Sequence, residues 1–397
     1  MPDPFYQIFK KPSDHNNWDK QIEFYTKSTE ITDDRRIRIL EALDYLRIHL
    51  SNGFLKNTKN KHPLRFSIAN KATHSIDWLI WVYETLKSYE HDKENFKIIL
   101  NKLKSFGKAV DEGIPFLEVA SALQKNGFEV EFEPNIDGYD KKPDLKLTNT
   151  KNEEVIYIEV SRVKESDRRD NIMHSYTELN TIMMMAVGGK KIAYAGGIRK
   201  LIKQKDIARL SNQIRDFVAQ FEAENKFNVL TLEETKQQLE LAIADNSDNI
   251  KLQEWISQKE LRLDNIQNPA INFAEDVDRI INNKIKKEAK QIPTDHVGFI
   301  YLKVHPLVIK TGLPWDVAQK VKRKLTKFDH IVGVMLWSNA LETVKDPVTI
   351  NLADFLYSEF SVSELGRRTM LLILNKNYTK KISADSLKKI LKSMEVH

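Results

Sequence analysis

Between Phe128 and Val163 the chain alternates apolar and polar residues in runs too short for helices, and that pattern commits it to a meander of strands. "FEVEFEP" sets Phe128, Val130 and Phe132 against Glu129, Glu131 and Glu133 and ends at Pro134. "DLKLT" and "VIYIEVS" follow, joined by "NTKNE", whose polar residues favour a turn. With that turn centred between Lys151 and Asn152, Asp144 falls opposite Glu159. Directly opposed residues of antiparallel strands share a face, about 4.5–5.5 Å apart. Asp144, Lys146 and Thr148 then lie on one face of the first strand, and Tyr157, Glu159 and Ser161 on one face of the second. Leu145, Leu147, Ile156, Ile158 and Val160 form an apolar back. The hairpin is expected to bury that back and to aim two carboxylates together from the other face.

Two carboxylates that close repel, and one stays protonated unless a cation lies between them. Hard oxygen donors suit Mg²⁺ or Mn²⁺. Such an ion polarises a phosphate and activates a water at neutral pH. Taken singly, neither acid says this: Asp144 after Pro143 also reads as a turn residue at a strand start. Glu159 also reads as the wet face of an amphipathic strand. Their opposition is what favours a metal site.

"KPDLKL" followed by "VIYIEVS" resembles the PD-(D/E)xK phosphodiesterase superfamily, the restriction-endonuclease-like fold. The resemblance rests on Pro143-Asp144 and on Glu159 in an apolar strand, and it extends upstream to "FLEVASALQKNGFEV", similar to the family's first helix, where Glu118 matches a third acid. It runs over residues 111–200 and 270–345, in two pieces. It implies a mixed sheet flanked by helices, an Asp/Glu-bound Mg²⁺ or Mn²⁺ at Asp144, Glu159 and Glu118, and hydrolysis of nucleic acid, DNA before RNA. One position departs: the family's usual lysine two residues after the Glu is Ser161 here. Either the Ser161 hydroxyl holds the water in its place, or the charge comes from Lys146, on the Asp144 face, or from Lys284, Lys287 and Gln291 of a later helix; the last three are also the candidates to touch nucleic acid.

The rest of the chain reads as α+β. Residues 1–110 read as a helical N-terminal domain, with Ile37, Leu40, Leu43 and Ile48 near one face of "RRIRILEALDYLRIHL". "IPFLEVASALQKNGF" is a helix stopped at Gly127. "NIMHSYTELNTIMMMAV" predicts a helix whose Met183, Met184 and Met185 fill core, and "KKIAYAGG" a short strand. Residues 201–269 read as a mainly helical insertion, although Leu239, Leu241 and Ile243 also alternate like a strand. A helix over Phe273–Gln291, the strands "HVGFIYLKV" and "HIVGVMLWS" and the helix between them complete the second core piece, 270–345. Residues 346–397 are expected as a C-terminal extension with a strand, "TMLLILN", and a helix capped by Ser383.

Composition narrows the chemistry. There is no cysteine, which excludes disulfides, thiol nucleophiles and Cys-zinc sites. The excess of 62 Lys+Arg over 56 Asp+Glu gives +6, compatible with a polyanion partner. No apolar run reaches the length of a membrane span and no secretory leader is legible, so a cytoplasmic protein is expected. Two other readings stay open at this level. One is a nuclease fold that has lost its chemistry and binds nucleic acid or a partner. The other is a metal-independent helical ribonuclease resembling the HEPN type, through Arg169 and His174.

Overall fold

Leu145 pairs with Ile158, Lys146 with Tyr157 and Leu147 with Ile156, the register that a turn centred between Lys151 and Asn152 dictates. Extended by one residue, it sets Asp144 opposite Glu159. The computed structural model describes residues 12–58, 62–105, 113–163, 167–188, 190–200, 202–221, 226–267, 280–310, 314–340, 347–352, 354–363 and 366–393, with Ile8, Val277 and Asp278. The strands are β1 (Phe128–Phe132), β2 (Leu145–Asn149), β3 (Val155–Arg162), β4 (Ala193–Ile198), β5 (Phe227–Leu230), β6 (Leu239–Ala244), β7 (Asn265–Gln267), β8 (Val297–Lys303), β9 (Ile331–Ala340), β10 (Val348–Leu352), β11 (Phe355–Ser363) and β12 (Gly366–Leu374).

The chain is α+β and divides into two compact units, Met1–Val163 with Val277–His397, and Lys164–Asp276. The first is built on an eight-stranded mixed sheet in the order β1-β2-β3-β8-β9-β12-β11-β10. Its β3, β8 and β9 run parallel, the remaining pairs antiparallel. The helix Gly113–Lys125 covers one face; Leu117, Ala120 and Leu123 share a single core with Ile156, Ile158 and Phe299. Gly127 ends it at φ +84°, a left-handed stop that suits glycine.

Three expectations change on contact with this architecture. The N-terminal helices belong to the same core as the sheet, with Ile39, Leu43 and Leu46 buried in one continuous cluster with Phe128 and Leu145, so residues 1–110 are no separate body. In the helix Asp33–Leu50 the buried stripe is Ile39, Ala42, Leu43, Leu46 and Leu50, whereas Ile37 and Ile48 are exposed. The C-terminal segment is no extension either: β10, β11 and β12 complete the sheet, and β12 sits directly against β9. Ser383 does cap the last helix, Ala384–Lys392, its side chain accepting from Ser386 N.

The second unit, Lys164–Asp276, is wider than the expected 201–269 and carries strands beside its helices. It carries its own sheet, β5-β6-β4-β7, of which β6 is the alternating Leu239–Ile243 run. The helices Asp167–Val187 and Gln204–Ala219 bring Leu179, Met183, Leu210 and Ile214 to a core with Leu241. Of the three methionines only Met183 is core; Met184 and Met185 are exposed.

The β1 edge of the large sheet is closed by a side chain. Asn95, in the helix Lys93–Lys104, donates from Nδ2 to Val130 O at 3.1 Å and accepts from Phe132 N at 2.9 Å, so it pairs with the edge as a strand would. Asn95→Ala is expected to cost about 1–3 kcal/mol, because it leaves a buried N–H unpaired. A urea melt with a lowered midpoint and an unchanged slope is the result to look for.

Candidate acidic centre

On β3 the side chains alternate between two covered faces. Ile156, Ile158 and Val160 enter the main core, while Tyr157, Glu159 and Ser161 point to the other side and are buried as well, Glu159 to 2% and Ser161 to 7% exposure. The sequence suggested a wet face here. The chain from Ile280 to Gln291 covers it instead: a π-helical turn, Ile280–Lys284, continues into the helix Ile285–Ala289. Two contacts help to pin this element. His330 reaches Ala289 O through Nε2 at 2.9 Å. Gly298 of β8 leaves the space that Ile292 occupies, since a Cβ there would lie 2.8 Å from Ile292 Cγ2.

The element delivers three side chains at intervals of four and three, which places them on one helix face. Lys284 donates from Nζ to Ser161 Oγ at 2.6 Å and lies 3.5 Å from Glu288 Oε1. Gln291 donates from Nε2 to Glu159 Oε2 at 3.0 Å and to Glu288 Oε2 at 2.5 Å. Asp144, just ahead of β2, accepts from Val160 N through Oδ2 at 2.9 Å. Lys102, from the helix Lys93–Lys104, lies 3.3 Å from Asp144 Oδ1 and 2.8 Å from Glu133 Oε1, its ammonium over the Phe116 ring.

Among the described residues no donor reaches the buried Glu159 Oε1, and the Asp144 carboxyl lies within hydrogen-bonding reach of the Glu159 carboxyl, so the two can share a proton. Burial first, then the charges of Asp144 and Glu288, pushes the Glu159 carboxyl up to about 10. Asp144 is raised too, burial outweighing the pull of Lys102 and of the Val160 N–H. The Lys102 ammonium is held above its ordinary range: burial opposes its charge, but Asp144 and Glu133 together outweigh it. Carboxylates in this state bind a proton or another cation more strongly than they would in water. Among the described residues no three or more His, Asp or Glu side chains gather as a metal-holding group. A metal would therefore rest on the Asp144 and Glu159 pair, with Glu288 engaged by Gln291 and Lys284.

The remaining sequence candidates fall elsewhere. Lys146 is ion-paired with Glu131 at 2.9 Å, its neighbour across β1 and β2. Glu118 lies on the opposite sheet face from Glu159. It accepts from Lys303 at 2.7 Å and Asn339 at 3.3 Å, both on the Tyr301 and Trp337 side of their strands. Its geometry is that of a paired buried acid, not a third ligand. Lys287 is 68% exposed. The side chains of Arg169 and His174 lie outside the described residues.

Glu288 and Lys102 escaped the reading of the sequence. The Lys284, Glu288, Gln291 spacing was a legible signal for the first, since it puts all three on one helical face. Nothing local marks Lys102, which reaches the centre from a helix 42 residues before Asp144.

No family model, curated protein or solved structure matches this chain. Among the described residues no helix is long and apolar enough to cross a membrane.

Proposed function

We propose that the chain is a divalent-metal-dependent nuclease whose centre is the Asp144 and Glu159 pair. The observation that carries this reading is the buried Glu159 carboxyl set against a second acid, with no donor on its Oε1 among the described residues and an ammonium held at Ser161. The donor set fits a hard cation: it is all oxygen, carries excess negative charge, and is desolvated enough to favour neutralisation. When bound, Mg²⁺ or Mn²⁺ would supply the Lewis acidity that a phosphodiester needs. The order of helix, three-strand meander, helix, strand, helix, strand around these residues supports the resemblance to the PD-(D/E)xK fold.

The chain's own groups have separable tasks. Asp144 and Glu159 would hold the cation, and Gln291 fixes the Glu159 carboxyl. Lys284 brings to Ser161 the positive charge that the motif lacks, and its N–H groups orient the water whose oxygen attacks phosphorus. Attack forms one P–O bond and breaks the ester P–O bond, and the departing oxygen takes up a proton. Lys141, Lys142, Lys287 and Lys290 are exposed on the surrounding rim, where Lys141 Nζ reaches Lys290 O at 3.2 Å. They would track the phosphates of a nucleic acid, with a binding strength that falls steeply with salt.

The test is cleavage of supercoiled plasmid, linear duplex, single-stranded DNA and RNA in Mg²⁺, Mn²⁺ or EDTA. Cleavage with metal and none in EDTA is expected. Cleavage that persists in EDTA would sink the reading and turn attention to His174. Salt-sensitive binding of nucleic acid without cleavage or metal binding would favour a fold that kept its surface and lost its chemistry.

A further inference from the structure

One row of paired residues crosses the large sheet from the acidic centre toward its far side. Glu159 lies beside Ile300, Ile300 beside Val334, Val334 beside Ile373, and Ile373 beside Phe355. Partners in register share a sheet face, so Phe355 stands on the Glu159 face, four strand spacings or about 19 Å away. The helix Pro314–Leu325 is seated there. Its Trp315 ring lies 6.4 Å from the Phe355 ring, and its Lys322 ammonium lies over that ring at 5.5 Å. The helix also packs on β9, on β12 and on the π-helical turn that carries Lys284.

The helix separates its residues by chemistry. Val317, Ala318, Val321 and Leu325 are buried, whereas Lys320, Arg323 and Lys327 are exposed and Lys324 is half-buried. The four cations follow one another at helical spacing, which sets them in one stripe on the outer face, with Lys327 just past the last turn. At 1.5 Å per residue the stripe runs about 10 Å. Among the described residues none of the four has a carboxylate partner; the Arg323 side chain donates to Gln319 O at 3.4 Å. The acids close by are engaged elsewhere. Asp354 accepts from Lys322 and Lys376, and Asp329 accepts from the Thr379 hydroxyl at 3.4 Å. Nor does the end of the helix need these cations, since Asn375 Nδ2 donates to Leu325 O at 3.1 Å and to Phe328 O at 2.9 Å. Lys320 with Lys324, and Arg323 with Lys327, are like charges four residues apart, an arrangement that destabilises a helix until an anion meets it.

We propose that this stripe binds the phosphate backbone of duplex DNA and holds it across the face that contains the acidic centre; the proposal rests on the nuclease reading for its substrate. The distance of about 19 Å from Phe355 to Glu159 is shorter than one duplex turn of about 34 Å, so a single duplex spans both. Single strands are held largely by stacking on aromatic rings, and the outer face of this helix offers none. Duplex RNA is told apart through its 2′-hydroxyls, which call for neutral hydrogen-bonding groups, whereas the stripe presents cations alone. An anionic membrane would need the apolar side of the helix, and that side is buried.

Fluorescence anisotropy of the full chain with a labelled DNA duplex, in EDTA and over a series of salt concentrations, tests this without cleavage. The variant carrying Lys320→Gln, Arg323→Gln, Lys324→Gln and Lys327→Gln is expected to bind about a hundredfold or more weakly near 0.1 M salt. Its slope of log affinity against log salt should fall by about 3–4, since each lost phosphate contact removes about 0.9. A control carrying Lys56→Gln, Lys93→Gln, Lys97→Gln and Lys388→Gln loses the same charge from exposed positions on other helices and should keep its slope to within about one. Four outcomes would each overturn the proposal: no saturable binding by the wild-type chain, an unchanged slope in the first variant, equal losses in the two variants, or tighter binding of single strands, duplex RNA or anionic vesicles than of duplex DNA. Failure of the nuclease reading shows differently, as wild-type binding that depends on the stripe with no cleavage in Mg²⁺ or Mn²⁺.

Discussion

Glu159→Gln is expected to abolish cleavage and, at the same time, to stabilise the metal-free protein. The first effect follows from losing half of the pair proposed to hold the cation, and a fall of at least about a thousandfold is expected. The second follows from linkage. The Glu159 carboxyl sits at about 10 in the folded chain against an ordinary value of 4.5. Below 4.5 both states are protonated and nothing is lost. Between 4.5 and about 10 the folded protein keeps a proton that the unfolded chain gives up, so stability falls as pH rises. Each pH unit in that window costs about 1.4 kcal/mol. Glutamine does not titrate, so the variant should gain about 2–3 kcal/mol on the wild type between pH 6 and pH 8. Urea melts in EDTA at pH 6, 7 and 8 read this directly. Saturating Mn²⁺ should flatten the wild-type slope, because it binds the charged pair in the folded state alone. Parallel pH profiles for the two proteins would remove the electrostatic basis of the proposed site.

Lys284→Ala is expected to lower cleavage by about a hundredfold or more while leaving metal binding in place. Its ammonium is 2.6 Å from Ser161 Oγ and belongs to a different stretch of chain from the motif it is proposed to complete. The decisive comparison is the double variant. If Lys284 supplies the charge that position 161 lacks, Ser161→Lys in the Lys284→Ala background should restore activity to within about tenfold of wild type. Ser161→Lys alone crowds two ammonium groups together and should be less active than the double variant. A double variant no better than Lys284→Ala would assign Lys284 a packing role only.

The hairpin was legible because its information is local. Turn composition and the count of residues on each side of Lys151 and Asn152 define a register, and period-two alternation defines the faces. What the alternation could not reveal is whether a polar face meets water or another element. Glu159 and Ser161 look amphipathic in sequence, yet the Ile280–Gln291 segment buries them. Glu118 shows the reverse limit. Its place on the helix matched a family pattern, but which sheet face that helix covers is set by long-range packing. The run from Leu239 to Ile243 was ambiguous for the same reason. It is β6, selected by pairing with β4 and β5 over any local propensity.

Between Ser161 and Lys284 the chain leaves the large sheet, builds the whole Lys164–Asp276 unit, and returns to lay β8 parallel to β3. A parallel pair always demands a crossover, and here the crossover has become a body with its own core. Closure entropy grows only with the logarithm of the spanned length, about 0.6 kcal/mol for each doubling. The meeting of Lys284 with Ser161 is therefore nearly indifferent to how much polypeptide intervenes. The inserted unit is a cassette: it can lengthen, shorten or acquire a new surface over evolutionary time while the two ends that assemble the acidic centre keep their register.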